Sequence, residues 1–338
     1  MDAGSKGTAV LGTGVLGSEV LCMGESMVLF VPGEPGPAHE VTTWTRTVGG
    51  AESNVACTLA RLGVPSAWVS ALGDDPFGHA VVAAVAGAGV DVSGVRFDAV
   101  RPTGLYIKES DAAGSPVRYY RRGSAASAMG PDVLDRVDLT GVRVVHVSGI
   151  TAGLSESCRA LLWALLDLPR DGFAVSFDLN WRPALWAEQD RGVLRDLARR
   201  ADIVLVGADE AETVWGVGTP AGIRELLPEP STVVVKQGAD GATLLELGAE
   251  PVFEPALRVE VVEPVGAGDA FAAGFLAATL AGAAPSRRLR EGHLRAATVL
   301  CTHHDVAEPL PVEVASALLD ADPGEWSSVK LTAQGVTR

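Results

Sequence analysis

The sequence predicts a doubly wound α/β fold: a mostly parallel sheet with helices on both faces and a small β-strand lid. Three observations point to it. Short β-rich apolar runs alternate with helical stretches along most of the chain. Several runs are apolar throughout, such as Ile-Val-Leu-Val at 203–206 and Val-Val-Val at 233–235, the pattern of parallel strands buried on both faces. Two stretches break the alternation, being strand-like, punctuated by Pro and Gly, and without room for a crossover helix.

In chain order, strands are expected at 20–24, 67–72, 143–148, 173–178, 202–206, 232–236 and 242–247, with a further run at 257–262. Helices are expected at 53–62, 77–86, 156–168, 191–200, 270–280 and 289–301. The uncharged run at 270–286 is rich in Ala and Gly. It is shorter than the roughly 20 strongly apolar residues of a membrane span and reads as a buried core helix. The two exceptional stretches, 27–48 and 103–124, are expected to pair as a small antiparallel lid over one sheet edge. Residues 1–19 read as a flexible Gly-rich extension, residues 20–320 as one α/β domain, and 321–338 as a tail poorly ordered after Pro323.

The chain has 338 residues, 47% hydrophobic and 20% charged, so it can bury a sizeable core; disordered and fibrous classes are excluded. The net charge is -15 and no basic patch is dense enough to neutralise a run of phosphates. A nucleic-acid partner or a polybasic membrane contact is therefore not expected. Small anionic ligands remain open, because a helix N-terminus can hold a phosphate locally. Cys22, Cys57, Cys158 and Cys301 are widely spaced with no C-x-x-C pair, which argues against a disulfide scaffold or a metal cluster and for a reducing cytoplasm. No signal-peptide pattern opens the chain.

Gly12-Thr13-Gly14-Val15-Leu16-Gly17 matches G-x-G-x-x-G, but no strand precedes it and a strand, not a helix, follows. It reads as part of the flexible extension and not as a dinucleotide site. The strongest signal is Val265-Gly266-Ala267-Gly268-Asp269-Ala270-Phe271, a Gly-rich turn opening a long apolar helix. Glycines let backbone N–H groups converge and the helix end adds partial positive charge, so Gly266, Ala267 and Gly268 form a candidate anion hole. Asp269 lies beside it, either as a catalytic group or as a helix cap. A second pair, Gly49-Gly50, opens a helix that carries Asn54; the plain alternative is a loop with Ser53 or Asn54 capping. Gly73–Gly78 is expected to be a structural turn.

Gly49-Gly50-x-x-x-Asn54-x-Ala56 and Gly266-Ala267-Gly268-Asp269 resemble the two signatures of the PfkB, or ribokinase-like, carbohydrate kinases. The resemblance extends through Gly73–Gly78, Lys236-x-Gly238-x-x-Gly241 and the helix after Asp269, and covers about residues 20 to 318. Three segments are similar to the 2-keto-3-deoxygluconate kinases of that family: Tyr119 to Ala126, Asp178 to Trp186, and Asp305. The resemblance implies a ribokinase-like fold and transfer of the ATP γ-phosphoryl group to a primary hydroxyl of a sugar or sugar acid. Asp269 would be the general base and Gly266–Asp269 the oxyanion donors. Lys236, Gly238, Gly241, Gly266 and Gly268 would meet ATP. Gly49, Gly50, Asn54, Tyr106, Tyr119, Arg121, Arg182 and Asp305 would meet the acceptor. An Arg on the lid suits an acceptor carboxylate, because guanidinium forms a bidentate fork; the alternative for Arg121 and Arg122 is a solvated edge-strand pair.

The sequence departs from the family at three points. Glu263 stands where Asp is usual in a monovalent-cation (K⁺) site. Gly207-Ala208-Asp209-Glu210 keeps the Glu of N-x-x-E, which the family places indirectly on Mg²⁺, but not its Asn. Thr302-His303-His304-Asp305 lacks the Gly expected before the Asp. The adjacent histidines do not read as a metal pair. The rival readings are a fructokinase or ribokinase-type neutral-sugar kinase, a non-catalytic sugar- or nucleotide-binding protein, and, remotely, a nicotinamide oxidoreductase. The family also implies a possible homo-oligomer through the lid.

Overall fold

The computed structural model describes residues 17–34, 36–108, 117–187 and 189–337. The Gly12–Gly17 motif and the 1–19 extension lie outside these residues except at 17–19. Strand β1 (Val20–Met23) leads into β2 (Met27–Pro32) and β3 (Trp44–Gly49), and helix α1 (Ala51–Arg61) returns the chain to β4 (Ser66–Gly73). Helix α2 (Pro76–Gly87) follows, then β5 (Val95–Asp98), β6 (Leu105–Lys108) and β7 (Val117–Tyr120). Asp75 caps α2: its Oδ1 accepts from the N–H groups of Phe77 and Gly78, which makes Gly73–Gly78 structural.

From β8 (Val144–Ser148) the alternation is regular. It runs α3 (Gly149–Leu154), α4 (Glu156–Asp167), β9 (Ala174–Asp178), α5 (Pro183–Trp186), α6 (Gly192–Arg200) and β10 (Ile203–Gly207). Helices α7 (Ala208–Trp215) and α8 (Pro220–Leu226) then precede β11 (Thr232–Lys236). Strands β12 (Gly241–Glu246) and β13 (Val252–Pro255) fold back antiparallel, and β14 (Arg258–Val259) precedes α9 (Ala267–Leu280), α10 (Pro285–Leu300) and α11 (Val312–Leu319).

Among the described residues the main sheet has nine strands in the order β13-β12-β11-β10-β9-β8-β1-β4-β5. All pairings from β11 to β5 are parallel. The strand alternation explains the unbroken apolar runs. Leu21, Val145, Val175 and Val204 face one core with α4 and α6. Cys22, Val144, Leu205 and Val234 face the other with α1 and α9. Parallel strands covered on both faces have no solvent side to code as polar.

The lid is a separate four-stranded sheet, β3-β2-β6-β7. Its pairing corrects the antiparallel expectation in one place: β2 and β6 run parallel, because β6 arrives from the far end of β5 and not through a hairpin. Residues 109–116 of the 103–124 segment lie outside the described residues.

Two further expectations are corrected. The apolar run at 257–262 yields only the two residues of β14, since Val261 and Val262 are exposed. The tail beyond Pro323 is built into the fold as α12 (Pro323–Ser328), β15 (Lys330–Thr332) and β16 (Gly335–Thr337). Its polar composition hides three anchors: Trp326, Val329 and Leu331 are fully buried, and Trp326 Nε1 donates to the Pro255 carbonyl at 2.8 Å. No helix of the described residues is long and apolar enough to cross a membrane.

Candidate active site

The C-terminal edge of the parallel sheet is where open α/β folds place their ligands, and there the Gly-rich turn begins α9. Gly266 is the helix N-cap at φ 85°, a left-handed conformation that favours glycine. A Cβ there would also lie 2.5 Å from the Asp305 carbonyl oxygen, so the turn needs glycine twice over. Ala267 N–H turns back to Pro264 O at 3.4 Å and Ala270 N–H closes onto Gly266 O at 2.9 Å. The open donors of the first turn therefore lie at Gly268 and Asp269. In front of Gly268 the space is clear: a Cβ would meet only Lys236 Nζ, at 3.6 Å.

Asp269 occupies the third helical position and caps nothing. Its Oδ2 accepts from Asn54 Nδ2 at 2.8 Å and its Oδ1 from Asn180 Nδ2 at 3.2 Å. The side chain is almost completely buried. Burial pushes its carboxyl up to about 7; the Asn54 hydrogen bond and the Arg182 charge oppose that rise, and Asp178 and Asp305 add to it. A carboxyl that burial brings to about 7 and that two amide donors orient suits proton abstraction better than capping does.

Asn180 completes this grip. It sits at φ 39°, among the described residues the one non-glycine residue with positive φ. Backbone strain of this kind persists where the surroundings enforce it. Here its N–H donates to Asp178 Oδ1 at 3.0 Å while Asp178 Oδ2 takes Lys236 Nζ at 2.8 Å. Burial opposes the Lys236 charge, but Asp178 and Glu210 outweigh it and hold the ammonium above its ordinary pKa. Lys236 thus stands as a fixed cation beside the Gly268 opening. Gly238 turns at φ 60° with open space around it, whereas a Cβ on Gly241 would collide with the Glu254 carbonyl of β13. Glu210 spends both oxygens on backbone: Oε2 accepts from Gly207 N–H and Oε1 from Trp181 N–H, each at 2.9 Å.

The acceptor side is walled by the lid. Tyr106 OH donates to Asp305 Oδ2 at 3.3 Å, and a Cβ on Gly49 would collide with that hydroxyl. A Cβ on Gly50 would lie 2.7 Å from Ser26 Cα, which lets α1 start close against β2 and sets Asn54 one turn away. Tyr119 stacks on Tyr106 with ring centres 5.5 Å apart. A cavity of about 310 Å³ opens between Tyr119, Arg121, Arg122, Leu154, Arg182 and Leu185, within the size range of small-molecule sites.

Its two predicted cations differ. Arg121 lies over the Tyr119 ring and forms an ion pair with Glu25, which is fully buried and also accepts from Ser124 Oγ. Arg182 donates to the Trp181 carbonyl at 2.9 Å and has no carboxylate salt bridge among the described residues. The predicted residues therefore converge from both ends of the chain: Asn54 meets the Asp269 carboxylate, which feels the Arg182 charge, and Gly49, Tyr106 and Asp305 meet one another. Reading the sequence missed Glu25, and it quoted the Asp178 to Trp186 segment without giving Asp178 or Asn180 a place in the site. Asn180 carried one usable signal, since Asn is the ordinary residue after Gly for left-handed backbone. Glu25 carried none.

The comparisons with known proteins point to one family. The family described as pfkB family carbohydrate kinase matches residues 18–313. The 2-dehydro-3-deoxygluconokinase of Bacillus subtilis is 38% identical over 283 residues, covering 81% of this chain and 87% of that protein. The 2-dehydro-3-deoxygalactonokinase of Haloferax volcanii is 32% identical over 315 residues, covering 91% and 98%. The crystal structure of a PfkB protein from a Polaromonas species superposes with a TM-score of 0.77 at 35% identity, covering 90% of this chain and all of that one.

Proposed function

The chain belongs to the pfkB family of carbohydrate kinases, and from that premise we propose that it phosphorylates a primary hydroxyl of 2-keto-3-deoxygluconate, the 2-dehydro-3-deoxygluconate of its relatives' names. In this reading Asp269 takes the proton of the acceptor hydroxyl. The N–H groups of Gly268 and Asp269 meet the charge that develops on the transferred phosphoryl group. Lys236 lies beside that opening as a fixed positive charge. Asn54 and Asn180 hold the Asp269 carboxylate in register for in-line attack.

The donor side suits ATP, because the backbone at Gly268 and Gly238 faces open space that phosphate groups could approach, with Lys236 beside it. Mg²⁺ would neutralise phosphate oxygens when bound. With both Glu210 oxygens already accepting backbone N–H groups, that residue suits contact through water, as expected for an ion held chiefly by phosphates.

The observation that carries the acceptor assignment is Arg182. It lines the cavity without a carboxylate salt bridge and lies near enough to Asp269 to stabilise that carboxylate. A neutral sugar needs no such cation, while a carboxylate leaving water does. Two broader readings go with this one: a cytoplasmic enzyme, supported by four free, buried cysteines, and a homo-oligomer formed through the lid, supported by exposed Tyr119 and Tyr120 on β7. A coupled ADP-release assay over 2-keto-3-deoxygluconate, its galactonate epimer, fructose and ribose tests the assignment. The sugar acids should turn over fastest; a faster neutral sugar would replace this reading with the neutral-sugar kinase.

A further inference from the structure

In this family the acid upstream of the Gly-rich turn is expected to serve a monovalent cation. In this chain that position is Glu263, and its carboxylate already has a cation. Lys108, the last residue of β6, is buried and places Nζ 3.1 Å from Glu263 Oε2 and 3.9 Å from Asp305 Oδ1. Each carboxylate oxygen around that ammonium has a partner. Glu263 Oε1 accepts from Val265 N–H at 3.3 Å, and Asp305 Oδ2 accepts from Tyr106 OH at 3.3 Å. The Lys108 ammonium already stands between the two carboxylates, and a second positive charge there would be repelled by it, so the residues present do not fit a K⁺ site here.

We propose that Lys108 is a positioning residue whose ammonium replaces the monovalent cation, so that the phosphoryl-transfer turn is held by the protein's own charge. The two carboxylates flank the turn. Glu263 binds its entry through Val265, three residues before Gly268, and Asp305 packs its backbone against Gly266 at its apex. An ammonium between them fixes both flanks, as a compact point charge of the same valence as K⁺ would. The longer side chain at 263, where Asp is usual, spans to the lid strand that carries the lysine. Tyr106 and Lys108 are two residues apart on β6 and so share one face. That face joins the lid to Asp305 and Glu263 together. The cation thus comes with the acceptor-side lid, and lid and turn are one mechanical unit.

The inference rests on the kinase reading only for its rate assay. Wild-type kcat/KM should be the same in KCl, NaCl and tetramethylammonium chloride at equal ionic strength, and its unfolding midpoint should not respond to K⁺ at constant ionic strength. Lys108→Met should lower kcat/KM by about tenfold or more in tetramethylammonium, since it leaves buried carboxylates uncompensated. K⁺ or NH₄⁺ should then restore much of that loss and raise the variant's unfolding midpoint. Lys108→Arg should need no added cation. If Lys108→Met does not fold, the wild-type cation series and Lys108→Arg still decide the matter. Activation of the wild type by K⁺ over tetramethylammonium would overturn the proposal, as would a fully active Lys108→Met or one that no cation rescues. The thermal arm needs no acceptor, so a wrong acceptor and a wrong cation account give different results.

Discussion

The Gly-rich turn, which carries Asp269, and the cavity lined by Arg121 and Arg182 are built from different materials. The turn is backbone: a left-handed glycine, a helix end and clear space in front of Gly268. The cavity wall is side chain: stacked tyrosines and three arginines. Backbone donors aimed at a phosphoryl group would serve any acceptor, so in the proposed reading the turn carries the reaction type. Side chains on a lid can change without disturbing the turn, so the wall carries the substrate. The wall itself divides in the same way. Arg121 is tied to Glu25 in an ion pair, whereas Arg182 makes no salt bridge among the described residues, although Asp269 feels its charge.

The largest expected effect breaks the wall where it is structural. Arg121→Ala strands Glu25, which is fully buried, and should destabilise the protein by about 3–5 kcal/mol, measured by denaturant unfolding. Arg121→Ala combined with Glu25→Gln should recover most of that loss. If the single variant is as stable as wild type, Arg121 is a free cation like Arg182 and the contrast fails.

Next comes Asp269, beside the turn. Asp269→Asn should cost about 10²-fold or more in kcat, the loss expected when a proposed general base is removed. Wild-type kcat/KM should rise with pH through about 7, the region where the buried Asp269 carboxyl ionises. Stability should move the other way. A carboxyl whose folded pKa is raised favours the folded state at low pH and loses that contribution as pH climbs through the folded value. Wild type should therefore lose stability from about pH 4 to about pH 7, and Asp269→Asn should lose less. Near-normal turnover in that variant would return Asp269 to a structural role.

A smaller effect is expected from the strained residue. Asn180→Ala removes one of two donors to Asp269, worth about 1–3 kcal/mol for a bond to a charged group. The midpoint of the pH–rate profile should shift upward, while acceptor discrimination stays as it was. Smallest is Glu210→Gln: its oxygens serve the backbone, so the Mg²⁺ requirement should rise only modestly and acceptor KM should hold. An unchanged Mg²⁺ titration would leave Glu210 as a backbone strap alone.

Much of this was legible in the sequence because it is local. Parallel strands announce themselves as unbroken apolar runs, and Gly266–Asp269 announces a turn that opens a helix. What was not legible depends on long-range placement. Glu25 and Arg121 are 96 positions apart, and Lys108 and Glu263 are 155 apart, so no spacing pattern links either pair. The tail was misread for a related reason. Its short polar run gives no periodicity, and only the packing of Trp326 under Pro255 shows that it folds. The parallel β2–β6 pairing was hidden too, because pairing direction in a lid is set by where the chain re-enters and not by the strand's own residues.

The central claim is that Arg182 selects a carboxylate at a site whose chemistry is indifferent to it. The most direct measurement is kcat/KM for 2-keto-3-deoxygluconate, fructose and ribose in wild type and Arg182→Ala. Wild type should prefer the acid. Arg182→Ala should lose on the order of 2–5 kcal/mol of transition-state stabilisation with the acid and little with the neutral sugars. Equal losses on all three substrates, or a wild type that prefers fructose or ribose, would contradict the account.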